Sequence, residues 1–152
     1  MLKIRCIIND LSIRRTWKKS GYAMPAPAIA KQFVLERHSI PDCTWIETGT
    51  WLGDTTAFLS EIAFQVWTIE PGHKLAVAAS VRFQKSNNIK VIEGLSENML
   101  DEILYKVSGN VCFWLDGHYS SGDAFKGPVD TPIRLELIII EEHLSRLEKL
   151  PC

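Results

Sequence analysis

The sequence predicts a doubly wound α/β domain, in which a mainly parallel sheet has helices on both faces. Two observations carry this prediction. Short apolar stretches alternate with single helical stretches along residues 44–147, which is typical of parallel strands joined by crossover helices. The strand candidates are also too apolar for either of their faces to contact water, as expected for a buried parallel sheet.

The elements can be assigned in order. The predicted strands are short apolar runs that end near a glycine, a proline or an acidic residue: 45–46, 66–69, 89–92 and 111–115. The predicted helices are 28–37, 54–63, 73–84, one capped by Ser96, and one that Thr131 caps and Pro132 opens, reaching about residue 147. Apolar residues share a face in several of them: Ile29, Phe33 and Val34 in the first, and Leu137, Ile140, Leu144 and Leu147 in the last.

Length and composition set further bounds. The chain has 152 residues, 46% of them hydrophobic, and a formal net charge of −1, which fits one globular domain and favours neither a nucleic acid nor a membrane as partner. We divide it into an N-terminal segment with a loop and a helix (1–40) and a ligand-binding α/β domain (41–152). With no signal peptide, no apolar run long enough to span a membrane and four scattered cysteines, we predict a cytoplasmic protein.

Acidic residues mark the ends of the predicted strands. They are Glu47, Glu70, Glu93 and Asp116. Doubly wound sheets bind ligands beyond the carboxyl ends of their strands, near the point where the strand order reverses. We therefore expect the binding site at this edge, where a carboxylate such as Glu70 can accept hydrogen bonds from both hydroxyls of a ribose. The alternative is an acid that faces solvent.

A glycine loop follows the first strand. Gly49 and Gly53 let the backbone approach a ligand closely, and a helix opens at Asp54. The dinucleotide fingerprint has a second glycine where this chain has Trp51, whose indole would block a pyrophosphate. A carboxylate at Glu47 would also repel phosphate and suits a ligand with a cation or hydroxyls. These features disfavour an NAD-dependent oxidoreductase, and the ligand that we infer is S-adenosylmethionine.

Three segments resemble one protein family. Glu47-Thr-Gly49-Thr-Trp-Leu-Gly53 resembles the first motif of class I S-adenosylmethionine-dependent methyltransferases, and Trp-Thr-Ile-Glu70 is similar to their second motif. Phe113-Trp-Leu-Asp116-Gly-His118 is similar to the segment after strand four in small-molecule O-methyltransferases. The resemblance covers roughly Thr44 to Arg146. It implies a Rossmann-like methyltransferase fold and O-methyl transfer to a hydroxyl of a small molecule or sugar.

The resemblance also implies roles for individual residues. Gly49, Thr50 and Gly53 would wrap the methionine part of the cofactor, Glu70 would hold the ribose, and Leu95 and Ser96 would flank the adenine. The complete set of candidate cofactor-binding residues is Glu47, Gly49, Thr50, Gly53, Thr55, Glu70, Leu95, Ser96 and Asp116.

Asp116 and His118 are the candidate catalytic residues. They are the only acid and imidazole that lie close together at a predicted strand end. His118 would serve as general base, because its ordinary pKa suits that task, or it is a structural histidine. Asp116 would orient it or, as in the metal-dependent members that this segment resembles, bind a divalent metal ion. The remaining histidines, His38, His73 and His143, are expected at the surface.

The chain departs from the family at its C-terminal end. Class I methyltransferases have seven strands, whereas this sequence ends at Leu150-Pro151-Cys152, where strand five should begin. We therefore expect a fold truncated before that strand, with the C-terminal strands missing. An unpaired strand four would leave an exposed sheet edge, so we expect a homodimer through it or poor solubility. The alternative function is a catalytically incomplete domain that binds a nucleoside or a protein partner.

Overall fold

The computed structural model describes residues 12–23, 26–117 and 131–147. The chain separates into two compact units, Met1–His38 and Ser39–Cys152. The first contains helix α1 (12–19) and helix α2 (Ala28–His38). The apolar face expected on α2 is not buried as a whole, since Phe33 and Val34 are exposed. The guanidinium of Arg14 instead lies 4.4 Å from the centre of the Phe33 ring, a cation–π contact.

The second unit is the predicted α/β domain. Strands and helices alternate along it: β1 (Thr44–Thr48), α3 (Asp54–Ile62), β2 (Gln65–Glu70), α4 (His73–Phe83), β3 (Ile89–Glu93), α5 (Ser96–Lys106), β4 (Val111–Leu115) and α6 (Ile133–Leu147). All strand pairs are parallel, and the order across the sheet is β3-β2-β1-β4. The doubly wound fold is thereby confirmed. The order reverses between β1 and β4, which defines the switch point of the sheet.

Alternation of side chains along β1 sends its residues to different faces. Ile46 joins the main hydrophobic core, which α5 and α6 cover; its buried members are Ile46, Trp67, Ile69, Leu100, Ile103, Leu104, Val107 and Ile140. Glu47 points to the opposite face, where Thr56 of α3 contacts it. The register places Glu47 beside Thr68 of β2 and Trp114 of β4. Both faces of the sheet are therefore covered by helices.

Helix α6 buries a different stripe from the one expected. Leu137 and Leu144 are exposed, whereas Glu136, Ile140 and His143 are buried. The buried residues are spaced by four and three positions and so form one stripe, and Leu137 lies about 100° further round the helix. The prediction of a surface position for His143 was wrong. Its Nε2 lies 2.7 Å from Oδ1 of Asp101 on α5, which links the two helices.

Helix α5 begins as predicted, but its cap differs. Leu95 occupies the N-cap position in extended conformation and supplies no side-chain cap, while Ser96 is the first helical residue. The hydroxyl of Ser96 lies 3.4 Å from Oε2 of Glu97. Within the described ranges, no helix has the length and apolar character needed to cross a membrane. Strand β4 is the last strand of the described sheet on its side, so the homodimer through this edge stays a prediction.

Candidate cofactor-binding site

Glu47 lies inside the fold beneath the glycine loop. Only 1% of its surface is exposed. Its Oε2 accepts a hydrogen bond from Thr68 Oγ1 at 2.8 Å and another from Thr56 Oγ1 at 2.5 Å. The hydroxyl of Thr50 in turn lies 2.5 Å from that of Thr68. A buried carboxylate needs hydrogen-bond partners of this kind. These hydrogen bonds connect the end of β1 and the loop to β2 and α3. The sequence indicated the carboxylate but not this internal position.

The loop between β1 and α3 has a backbone that passes three times through the left-handed region. The φ angles are +86° at Gly49, +52° at Trp51 and +82° at Gly53. A Cβ atom on Gly49 would lie 2.8 Å from the carbonyl oxygen of Asp116, so only glycine fits against β4 there. The structure thus brings Gly49 and Asp116, two of the predicted site residues, into direct contact at the switch point.

Backbone N–H groups of this loop are used within the protein. Those of Gly49 and Thr50 donate to the carbonyl oxygen of Ile69, at 2.9 and 3.3 Å, and that of Gly53 donates to Thr50 at 2.8 Å. The N–H of Trp51 donates to Oε2 of Glu70 at 2.8 Å. A phosphate cradle directs its N–H groups towards the ligand. This loop directs four of them inwards, so it does not form a pyrophosphate cradle of the dinucleotide type.

Glu70 connects this loop to the end of β2. Its side chain is buried, and its Oε1 accepts a hydrogen bond from the N–H of Gly72 at 2.9 Å, while Oε2 holds Trp51. Each carboxylate oxygen has two lone pairs, so one further donor can bind to each. The carboxylate is therefore fixed in place by backbone groups on two sides. Such fixed placement suits recognition of a pair of hydroxyls, and it also makes Glu70 part of the loop's own structure.

Helix α4 supports the outer side of the loop. The guanidinium of Arg82 donates to the carbonyl oxygen of Leu52 and lies 2.9 Å from Oδ1 of Asp54. A Cβ atom on Gly53 would meet the Phe83 ring at 2.8 Å, which makes this second glycine necessary for packing. Thr55, in the first turn of α3, is half-buried. The indole of Trp51 is 44% exposed, so this residue belongs to the surface of the site and not to the core.

The end of β4 carries Asp116, which is half-buried. Its N–H donates to the carbonyl oxygen of Thr48 at 3.1 Å, and its Oδ2 accepts a hydrogen bond from the indole of Trp114 at 3.3 Å. His118 lies outside the described residues. Among residues 12–23, 26–117 and 131–147, no three or more His, Cys, Asp or Glu side chains form a group that could hold a metal ion. The described residues therefore give no support to a metal site at Asp116.

The end of β3 completes this edge of the sheet. The N–H of Gly94 donates to the carbonyl oxygen of Glu70 at 3.0 Å. Glu93 is exposed and pairs with His73, whose Nδ1 lies 2.9 Å from the carboxylate. Leu95, the next candidate, is half-buried, and Ser96 is buried at the start of α5.

Glu136 of α6 is an acidic residue that sequence reasoning missed. It is 1% exposed, and its carboxylate oxygen Oε1 lies 3.5 Å from where a Cβ on Gly117 would be. Burial raises the pKa of this carboxyl group, the hydroxyls of Ser96 and Thr48 oppose the shift, and the nearby Glu97 adds to it. The available signal was its place in the stripe of α6, four positions before Ile140. An acid on a buried stripe calls for an explanation.

Comparison with known proteins identifies the fold. No family model and no curated protein sequence matches the chain. Among solved structures, it is similar to a provisionally assigned methyltransferase from Streptococcus mutans in complex with SAH (S-adenosylhomocysteine), with a TM-score of 0.55 and 19% identity over 82% of this chain and 68% of that one. An rRNA methylase from Streptococcus thermophilus gives a TM-score of 0.53 and 19% identity, covering 82% and 67%.

A third similar structure is a precorrin 8w decarboxylase from Methanobacterium thermoautotrophicum, with a TM-score of 0.51, 18% identity and coverage of 79% of this chain and 60% of that one. At these identities the likeness establishes the fold alone. The chain has the class I methyltransferase fold, as the motif resemblance implied. It spans about two thirds of the length of the first two of these proteins.

Proposed function

We propose that the chain binds S-adenosylmethionine at the carboxyl edge of its sheet and transfers the methyl group to a hydroxyl of a small molecule or sugar. The observation that carries the proposal is the loop between β1 and α3. Through Gly49 this loop contacts Asp116, the residue that follows β4, and through Trp51 it is bound to Glu70. Its N–H groups donate hydrogen bonds to acceptors within the protein. A nucleoside ligand without phosphates fits such a loop. One of the similar structures holds SAH, which agrees with this choice.

The proposed roles are those that the motif resemblance implies. Gly49, Thr50, Gly53 and Thr55 would surround the methionine part of the ligand, and Glu70 would accept hydrogen bonds from the ribose hydroxyls. Leu95 and Ser96 would flank the adenine. Glu47 would act from beneath, because its carboxylate binds threonine hydroxyls and holds the loop in shape.

The cofactor would supply a methyl group on a positively charged sulfur. The acceptor oxygen would bond to the methyl carbon as the carbon–sulfur bond breaks, and the sulfur would leave as a neutral thioether. The protein must hold the acceptor oxygen in line and take up its proton. We assign Asp116 to this step, because it ends β4 at the switch point beside Gly49. His118 as general base stays a prediction. The choice of a small-molecule or sugar hydroxyl as acceptor rests on the resemblance of residues 113–118. An rRNA methylase also has a similar structure.

The first test is calorimetric titration with SAH, using NAD as the control ligand. Binding of SAH without binding of NAD is the expected result. A chain that binds NAD equally well would contradict the proposal, because the loop would then accept a pyrophosphate.

A matched pair of variants tests the assignment of Glu70. Glu70→Gln should weaken SAH binding by about 1–3 kcal/mol, the scale of hydrogen bonds to a charged group. Glu93→Gln is the control, since Glu93 also ends a strand but is exposed and pairs with His73. Because Glu70 also anchors Trp51, tryptophan fluorescence of the empty protein should be compared in parallel. If the two variants bind SAH with equal affinity, the assignment of Glu70 to the ribose hydroxyls is wrong.

Methyl transfer itself needs a separate measurement. Transfer of a radioactive methyl group from S-adenosylmethionine to a panel of catechol, phenol and sugar acceptors should label one class of hydroxyl. If the chain binds SAH and labels none of these acceptors or RNA, the alternative of a catalytically incomplete nucleoside-binding domain is favoured. Labelling of RNA alone would contradict the proposed acceptor class while leaving the cofactor assignment intact.

A further inference from the structure

Glu136 is a buried acid to which the proposed function gives no role. It lies in the first turn of α6, against the ends of β1 and β4 and the start of α5. Among the described residues, its Oε1 has no hydrogen-bond partner although the atom is buried. Glu47, on the other face of the same sheet edge, shows the usual arrangement, with two hydroxyls on one carboxylate oxygen. An unpaired buried carboxyl oxygen is costly, and a native fold that keeps one calls for a reason.

The charges around Glu136 do not compensate it within the described residues. From α5, Ser96 presents a hydroxyl and Glu97 a second negative charge. The end of β1 contributes the hydroxyl of Thr48, and the segment after β4 contributes Gly117. The groups named here are hydroxyls, acids and backbone. Among the residues that the structure describes, none of these groups carries a positive charge. Gly117 joins the site to the contact between Asp116 and the glycine loop.

We propose that the Glu136 carboxylate is the counter-ion for a positively charged centre of the bound ligand, the sulfonium or the ammonium group of S-adenosylmethionine. This inference rests on the function proposed above and assigns part of its cofactor specificity. In a low-dielectric interior, opposite charges attract strongly over several ångströms, so Glu136 need not touch the ligand. Burial raises the pKa of Glu136 in the empty site, and a cationic ligand would lower that pKa.

The test is calorimetric titration of the full chain with three ligands. S-adenosylmethionine carries both cationic groups, SAH retains only the ammonium, and 5′-methylthioadenosine has neither. Each is titrated into the unchanged protein, into Glu136→Gln and into Glu142→Gln, a control that removes an exposed acid from the same helix. Glu136→Gln should lower the affinity for S-adenosylmethionine by roughly tenfold or more, as expected when an interaction with a charged group is lost. The affinity for 5′-methylthioadenosine should change less than about twofold.

The titrations with SAH identify which cationic group of the ligand interacts with Glu136. An equal loss for SAH and S-adenosylmethionine assigns the ammonium group, whereas a loss for S-adenosylmethionine alone assigns the sulfonium. A similar loss for all three ligands, or none for any of them, overturns the inference and leaves the cofactor site in place. If the unchanged protein binds none of the three, the proposed function fails first and the inference falls with it.

Two measurements keep the test independent of how the variant folds. Thermal unfolding of the empty protein should show Glu136→Gln at least as stable as the parent, because a buried carboxyl group with one unpaired oxygen has been removed. In the unchanged protein, the affinity for S-adenosylmethionine relative to 5′-methylthioadenosine should rise over the pH range above the ordinary carboxyl pKa, because burial raises the pKa of Glu136 and the group ionises above that ordinary value. A ratio that stays constant over this range contradicts the proposal without any variant.

Discussion

Gly49→Ala is expected to destabilise the protein and to abolish cofactor binding, because two separate costs act at this position. The φ angle of +86° lies in the left-handed region, where an alanine costs about 1–2 kcal/mol. The new Cβ would also lie 2.8 Å from the carbonyl oxygen of Asp116 and 3.2 Å from Cα of Gly117. Both are backbone atoms that cannot turn aside, and overpacking of this kind adds about 1–3 kcal/mol.

Gly109→Ala separates the two costs. Gly109 has a φ of +77°, but nothing lies within 4 Å of its added Cβ. It should therefore show only the conformational cost of about 1–2 kcal/mol, whereas Gly49→Ala should reach about 2–5 kcal/mol. The difference measures the contact between the β1–α3 loop and the end of β4.

Urea denaturation followed by circular dichroism gives both free energies of unfolding, and calorimetry gives the SAH affinity of each variant. Gly109→Ala should retain SAH binding, because its loop lies between α5 and β4 and away from the carboxyl edge. If Gly49→Ala is no more destabilising than Gly109→Ala, the close approach of the loop to Asp116 is absent in solution. That result would refute a close contact between Gly49 and Asp116 at the switch point.

Two further predictions concern buried groups of the α/β unit. Burial raises the pKa of Cys112 from 9.0 to about 11. The folded state therefore holds the thiol proton more tightly than the unfolded chain does, and the free energy of unfolding should fall as the pH rises between these values. In urea titrations, Cys112→Ala should reduce this fall by about 1–2 kcal/mol, and an unchanged pH dependence would contradict the prediction. His143→Ala should cost about 1.5–3 kcal/mol, because His143 is buried and bonded to Asp101. The control His73→Ala removes an exposed pair and should lower the free energy of unfolding by less than about 1 kcal/mol. If the two variants lose equal stability, the link between α5 and α6 is not stabilising.

Much of the fold follows from local properties of the sequence. Strand β4 was predicted with its observed limits, and the other strands differ by at most two residues at an end, because short apolar runs next to turn residues leave few alternatives. The parallel arrangement followed from the alternation of strands and helices. Gly49 and Gly53 could be identified as loop residues because both lie between an apolar strand and a helix start. Their left-handed conformations agree with what glycine uniquely permits.

The site was harder to predict, because its properties arise between segments that are distant in the sequence. Glu47 was expected to face a ligand, yet the register of β1 with β2 places it beside Thr68 on a helix-covered face. The N–H groups of the loop are bonded to Ile69 and Glu70, which only the pairing of the two strands brings close.

What the sequence by itself determined is the order of the elements, the position of the glycine loop and the edge of the sheet where acids gather, because these depend on residues near one another in the chain. Only the tertiary structure decided which acids are hydrogen-bonded and which one, Glu136, has a carboxyl oxygen without a hydrogen-bond partner in the described part of the chain. His143 was expected at the surface and Glu136 was not singled out, since helical spacing defines a stripe but not the surface it contacts. The crossover that places β4 beside β1 also brings α5 and the ends of these two strands around Glu136.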